Sequence, residues 1–221
     1  MSSTAIPQSE GNKTVRGNGA ASRLAAERAS TQVAKPAVNF NRLEHIGREL
    51  LIAIGEDPER EGLRKTPNRF ARMWKEFIEF DAGNVETTFE AVTTDQMVVV
   101  SGMKTFSLCE HHLLPFWSEI SIAYIASDHV LGLSKFARIA HKFSHRLQVQ
   151  ERLVDQIADE IMRITGSRDV GVLARGEHLC MQMRGVRTEG LMTTSVMRGL
   201  FRSTDARTEF LNLALSKRNG K

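Results

Sequence analysis

Residues 134–166, SKFARIAHKFSHRLQVQERLVDQIADEIMRITG, decide the fold. They hold two helical patterns with no strand between them. Phe136, Ile139, Ala140, Phe143 and Leu147 share one apolar face, and Leu153, Ile157, Ile161 and Ile164 share another that stops at Gly166. Ser134 is expected to cap the first helix. Before this pair lie the β-rich runs Met97 to Val100, Thr105 to Leu108 and Trp117 to Ile125. After it come Val170 to Ala174, Glu177 to Arg184 and Thr193 to Phe201, then a closing helix from about Asp205 to Lys217. Strands in runs, separated by paired helices, are not a strict β-α-β alternation. They predict an α+β domain, an antiparallel sheet with helices on one face.

Upstream, Phe40, Leu43, Ile46, Leu50 and Ile54 recur at helical spacing. Thr66-Pro67 marks a second helix start, followed by the stripe Phe70, Trp74, Phe77 and Ile78. The expected organisation is a disordered tail over 1–38, an N-terminal helical subdomain over 39–95 and a catalytic domain over 96–221. The tail is rich in Ala, Ser, Thr, Asn and Gly. An Arg- and Ser-bearing start also fits an organelle transit peptide, although its two acids and weak amphipathicity count against that.

Within 221 residues, 30 Lys+Arg against 26 Asp+Glu give +4. The first 40 residues carry +3 of this through Lys13, Arg16, Arg23, Arg28 and Lys35 against Glu10 and Glu27, leaving a body close to neutral. Such a body argues against a phosphate-tracking nucleic-acid protein. Apolar stretches such as Leu50 to Ile54 fall far short of the roughly 20 residues that span a bilayer. Two cysteines are too few for a disulfide framework. With no apolar signal segment at the start, the expected location is the reducing cytoplasm.

The densest chemistry is Ser107-Leu108-Cys109-Glu110-His111-His112. Cys109 and His112 stand three apart, a spacing that a turn can wrap around one ion. A second segment, Glu177-His178-Leu179-Cys180-Met181-Gln182-Met183-Arg184, alternates polar and apolar residues, so strand period two predicts His178, Cys180, Gln182 and Arg184 on one face. Two thiolates and one imidazole suit Zn²⁺ and leave a fourth position open, the pattern of a catalytic site. Spacing leaves open whether His111, His112 or His178 is the ligand, and whether the cysteines pair as a disulfide instead. Histidines off the metal are available as proton carriers. Gly132-Leu133-Ser134-Lys135-Phe136-Ala137-Arg138 gathers a hydroxyl and two cations at a helix start, where free N–H groups favour anions. Gln148-Val149-Gln150-Glu151-Arg152 opens the next helix. The sequence lacks the His-Glu-x-x-His, Pro-Cys-x-x-Cys, Gly-x-Gly-x-x-Gly and P-loop patterns.

Ser107 to Phe116, Gly132 to Ile139, Gln148 to Leu153, His178 to Val186 and Gly199-Leu200-Phe201 together resemble GTP cyclohydrolase I, in the same order and over about residues 40–217. The resemblance implies a tunnelling-fold enzyme that converts GTP and water to formate and dihydroneopterin triphosphate, as a decamer of two stacked pentameric rings. It implies Cys109, His112 and Cys180 as zinc ligands and His111 and His178 as proton handlers. Ser134 would lie beside the ribose, and Arg69, Lys135, Arg138 and Arg184 would hold the triphosphate. Gln150 and Glu151 would recognise guanine. Arg187 to Met197 departs from the Thr/Ser-rich pattern of many relatives, and no site residue is taken from it. The contrasting reading is a zinc-stabilised, noncatalytic ring-forming protein that binds a nucleotide, which formate release from GTP would separate from the enzyme.

Overall fold

The computed structural model describes residues 37–93 and 95–216. All of them belong to one compact unit. The expected tail over 1–38 lies almost wholly outside the described residues.

Helix α1 (Phe40–Ala53) starts where the Asn39 side chain accepts a hydrogen bond from the Arg42 N–H at 3.0 Å. Helix α2 (Thr66–Ile78) carries Pro67 in its first turn. The two pack where a glycine permits close approach, since a Cβ on Gly47 would stand 3.0 Å from the Phe70 ring and 3.2 Å from the Pro67 Cα. The expected stripe of α1 is therefore not its buried face. Gly47 and Leu51 are buried, while Ile46, Leu50 and Ile54 remain exposed, because α1 meets α2 through its smallest residue.

A short strand β1 (Thr88–Glu90) precedes the long strands β2 (Met97–Cys109) and β3 (Pro115–Ile125); β4 (His129–Leu131) then pairs back on β1. Helix α3 (Leu133–Ser144), the two-residue β5 (Leu147–Gln148) and helix α4 (Gln150–Thr165) follow. Strand β6 (Val170–His178), a single turn α5 (Leu179–Gln182), strand β7 (Met192–Met197), a 3₁₀ turn (Gly199–Arg202) and helix α6 (Thr204–Leu215) complete the order. The main sheet runs β5-β2-β3-β6-β7. Its four longer strands are antiparallel as expected, and β5 adds a parallel pair with the end of β2.

Strand alternation builds two cores. Ile120, Ile122 and Tyr124 of β3 and Val170, Val172 and Ala174 of β6 face α3 and α4, meeting Phe136, Ile139, Leu153, Ile157 and Ile161. All are essentially inaccessible to water, and each such side chain contributes about 1.5–3 kcal/mol through burial. The Tyr124 hydroxyl oxygen accepts the Leu131 N–H at 2.7 Å, so its polar tip is satisfied. Ala123 and Leu173 face the other way and are covered by Phe201, Phe210 and Ala214. The paired helices thus occupy one face, as expected, while α6 takes the other. Gly171 makes room for it, because a Cβ there would lie 2.9 Å from Phe201 and 3.1 Å from Phe210.

Three local differences from the sequence reading matter for the site. The first two expected strands are one, joined by a bulge. Val100 pairs with Ile122 but Met103 with Ile120, and Gly102 takes φ 74°. This extra residue shifts the alternation of β2, so that Met103, Thr105, Ser107 and Cys109 follow Val98 and Val100 on the helix-covered face. Second, α3 begins at Leu133 with Gly132 as its N-cap, so Ser134 sits inside the first turn and caps nothing. Third, the expected strand Glu177 to Arg184 ends at His178 and turns into α5. The pairing runs out there: β3 starts at Pro115, which has no N–H to offer, and β7 reaches only Gly176.

Candidate active site and metal centre

The β2–β3 turn is closed tightly. The Cys109 N–H donates to the Leu114 carbonyl at 2.8 Å, the Leu113 N–H donates to the Cys109 carbonyl at 2.8 Å, and Leu113 adopts φ 56°. Glu110 fixes the turn to α4, because Arg152 donates to both of its carboxylate oxygens at 2.6 and 3.0 Å. That guanidinium holds the Glu110 carboxyl below its usual range. The turn presents His111 and His112, whose Nδ1 atoms lie 3.9 and 3.8 Å from the Cys109 Sγ.

Two residues beyond β6, in the turn α5, Cys180 completes the cluster. Ligand atoms of Cys109, His112 and Cys180 all lie within 4.8 Å of one another, with Cys109 buried, Cys180 half-buried and His112 exposed. The sequence placed Cys180 here by strand alternation; the structure does so by the curl of α5. Burial pushes the Cys180 thiol up, and the neighbouring Cys109 adds to it. Two thiols crowded with one imidazole form a soft donor set that a single divalent cation satisfies, and the cluster is consistent with a zinc site. Arg184 joins it, with Nη1 3.1 Å from the His112 Nε2.

His178 ends β6 opposite Phe116 in the ladder, and the two rings stack at 4.4 Å and 9°. Its Nε2 lies 3.1 Å from the Gln150 Oε1. Burial pulls its pKa below the ordinary value of 6.5, opposed by the negative charge of Glu151. Glu151 itself is exposed in the first turn of α4. Gln150 is not exposed at all. Its amide nitrogen donates toward the Ala174 carbonyl (3.2 Å), the Met192 carbonyl (3.1 Å) and the Thr194 hydroxyl (3.0 Å). Its Oε1 also receives the Ser118 hydroxyl at 3.4 Å. Gln150, expected to read guanine together with Glu151, has its side-chain amide engaged inside the protein.

The remaining predicted residues are placed apart. Ser134 is exposed at the start of α3. Lys135 donates to the Asn84 carbonyl at 2.8 Å and Arg138 to the Ala82 carbonyl at 2.7 Å, so both bind the 82–84 segment. Arg69 stands exposed on α2. Sequence reasoning missed Phe116, Ser118, Gly176 and Thr194. Gly176 carried a signal, since an isolated glycine in a strand marks a close approach. A Cβ there would lie 2.6 Å from the Gln150 Oε1 and 2.5 Å from the Trp117 carbonyl oxygen.

Fold and site together define a tunnelling-fold enzyme with a three-ligand cluster, consistent with a zinc site, near a half-buried histidine. Residues 43–215 match the family model of GTP cyclohydrolase I. The chain is 51% identical over 160 residues to GTP cyclohydrolase 1 of Hyperthermus butylicus, covering 72% of this chain and 82% of that one. It is 45% identical over 189 residues to GTP cyclohydrolase 1 of Deinococcus radiodurans, covering 83% and 88%. A solved archaeosine synthase QueF-Like in the apo form aligns at TM-score 0.38 and 16% identity, covering 47% of this chain and 95% of that one. The chain belongs to the GTP cyclohydrolase I family. It is an enzyme of that activity, converting GTP to dihydroneopterin triphosphate. Among the described residues, no helix is long and apolar enough to cross a membrane.

Proposed function

We propose that catalysis is centred on the Cys109, His112 and Cys180 cluster, with His178 and His111 as proton carriers and a homodecamer of two pentameric rings as the working form in the cytoplasm. The observation that carries this reading is the convergence of three soft ligand atoms within 4.8 Å at the end of the sheet that also ends in His178. The two thiolates and the His112 imidazole would hold zinc, which would supply Lewis acidity for the addition of water at C8 of the purine. The protein's own groups do the rest. Opening the imidazole ring requires a proton at the departing nitrogen, and His178 is the half-buried titratable group beside the metal cluster. Loss of C8 as formate frees an amine that must meet a rearranged ribose carbon, with Ser134 at the sugar and His111 exchanging protons.

Glu151 suits guanine, because N1–H and the 2-amino group are adjacent donors that one carboxylate accepts together. Arg184, 3.1 Å from the His112 ring, would hold a phosphate. Within one chain Lys135 and Arg138 reach the 82–84 segment and Arg69 stands on the N-terminal hairpin. In the proposed ring they reach the triphosphate of a shared site. The division into a helical subdomain over 39–95 and a catalytic domain over 96–221, with 1–38 dispensable, follows the same reading.

The test is single-site. His178→Ala should retain zinc and GTP affinity while kcat, read as formate release from GTP, falls by about 10²-fold or more. Unchanged turnover, or loss of zinc, rejects the role. Mass measurement of the native assembly checks the decamer, and a smaller active species would refute it.

A further inference from the structure

We propose that Gln150 is the positioning residue of His178, fixing the ring as the Nε2–H tautomer, and that its side chain makes no contact with the base. The inference rests on the reading of His178 as a proton carrier and deepens it.

The orientation of the Gln150 amide follows from its surroundings. Two of the three groups around its nitrogen are the backbone carbonyls of Ala174 and Met192, which only accept. Flipping the amide would set its oxygen against both carbonyls and leave buried groups unpaired, so the nitrogen faces them and Oε1 faces His178. An oxygen accepts and cannot donate. The His178 Nε2, 3.1 Å away, must therefore be the donor. A neutral imidazole carries one N–H, so Nδ1 is left without a proton.

Two further observations fix the ring in place. Phe116 stacks on it nearly parallel, which sets the ring plane. Gly176 lies between Ala174 and His178 on β6, and the space its side chain would fill is taken by the Trp117 carbonyl oxygen, the Gln150 Oε1 and the Ser118 hydroxyl, at 2.5, 2.6 and 2.8 Å from a Cβ. Gln150 thus reaches β3 through Ser118, β6 through Ala174 and His178, and β7 through Met192 and Thr194. An amide is the side chain that meets this demand, donating on one end and accepting on the other.

The tautomer is readable in the zinc-loaded full-length protein. Long-range ¹⁵N–¹H spectra of histidine-labelled enzyme, with His178 assigned by its loss in His178→Asn, should show a protonated Nε2 and a bare Nδ1 in the neutral ring. An Nδ1–H ring, or an even mixture, overturns the proposal whatever any variant does. Gln150→Met, similar in volume but without polar atoms, should mix the tautomers. Its kcat should fall about tenfold or more while KM for GTP stays within about threefold and zinc is retained. A raised KM with kcat preserved would mean that Gln150 contacts the base, and an unchanged kcat would mean that the ring needs no positioning; either refutes the proposal. If His178→Ala leaves turnover unchanged while the wild-type ring is Nε2–H, the proton-carrier reading fails and the tautomer assignment stands.

Discussion

Five of the seven histidines of this chain form two groups with opposite surroundings. His111, His112 and His178 lie at the end of the sheet beside thiols, a guanidinium and a buried amide. His141 and His145 lie near the end of α3 among aromatic rings. His145 stacks on Phe80 at 3.9 Å and 13° and leans on Phe77 at 5.1 Å, while His141 is 5.8 Å from Phe80. The second pair has the i, i+4 spacing of a helical metal site. Its partners are instead the N-terminal hairpin, and His141 Nδ1 is buried with no hydrogen-bond partner. Spacing alone therefore does not make a ligand pair; what converts an imidazole to chemistry is the set of donors and acceptors that the fold brings to it.

The largest expected effect breaks one group and spares the other. Cys109→Ala and Cys180→Ala should each lose zinc by metal analysis and lower GTP turnover by about 10³-fold or more, since metal loss removes the Lewis acid. His141→Leu should keep zinc and turnover within about twofold. Loss of zinc from the His141 variant would erase the distinction between the groups. A smaller effect is expected at the edge of the active group: Glu151→Gln should weaken GTP binding by about 10²-fold and narrow the gap to ATP, with zinc intact. An unchanged preference, with only a slight loss of melting temperature, would make Glu151 a dipole partner of α4.

The second group is sharpened through its aromatic wall. Phe80→Ala removes the ring stacked on His145. Phe80 is partly exposed, so the expected cost is about 1–2 kcal/mol, below the 3–5 kcal/mol typical of a fully buried Phe→Ala change. Denaturant unfolding measures it, and kcat should not follow. A fall in kcat matching that in stability would show that the hairpin junction and the active site are coupled.

How far each group was legible in the sequence follows from the range of the forces that place it. Cys109 and His112 are local, three residues apart on one turn, and their motif carried the reading. The paired helices were legible because Phe136, Ile139, Leu153, Ile157 and Ile161 repeat at helical period and are buried as that period requires. Cys180 was assigned to the right cluster through the wrong local structure: alternation predicted a strand, but a strand persists only while a neighbour supplies its hydrogen bonds, and Pro115 ends that supply. The true burial of Gln150 was hidden, because its partners Ser118, Ala174, Met192 and Thr194 come from three strands distant in sequence. Thr194 even lies in the stretch set aside as atypical. The β2 bulge shows the same limit, since Gly102 reads as a break between two strands when it is the device that joins them in register with the site.

The smallest expected effect is a dependence on pH that belongs to the aromatic group. Burial pulls both His141 and His145 below the ordinary value of 6.5, and His145 lowers His141 further by its proximity. On the same helix end the charged neighbours Lys142 and Arg146 are both cationic, with Lys142 engaged by Glu160 and Arg146 partly desolvated. Neither would welcome an added proton. An imidazole whose folded-state pKa is depressed takes up protons more readily when unfolded, so stability is fully present above the unfolded value and drains away as pH falls through the folded one. The wild-type melting temperature should therefore drop between pH 7 and pH 5. Much of that drop could also come from the metal ligands, which must deprotonate to bind. The double variant His141→Leu/His145→Leu separates the two sources, because it keeps every ligand and removes the buried bases. Its melting temperature should fall less steeply over the same interval than the wild type, with equal zinc content at pH 7. Parallel curves would mean that these histidines titrate alike in folded and unfolded chains, and that their burial among Phe77 and Phe80 carries no pH dependence.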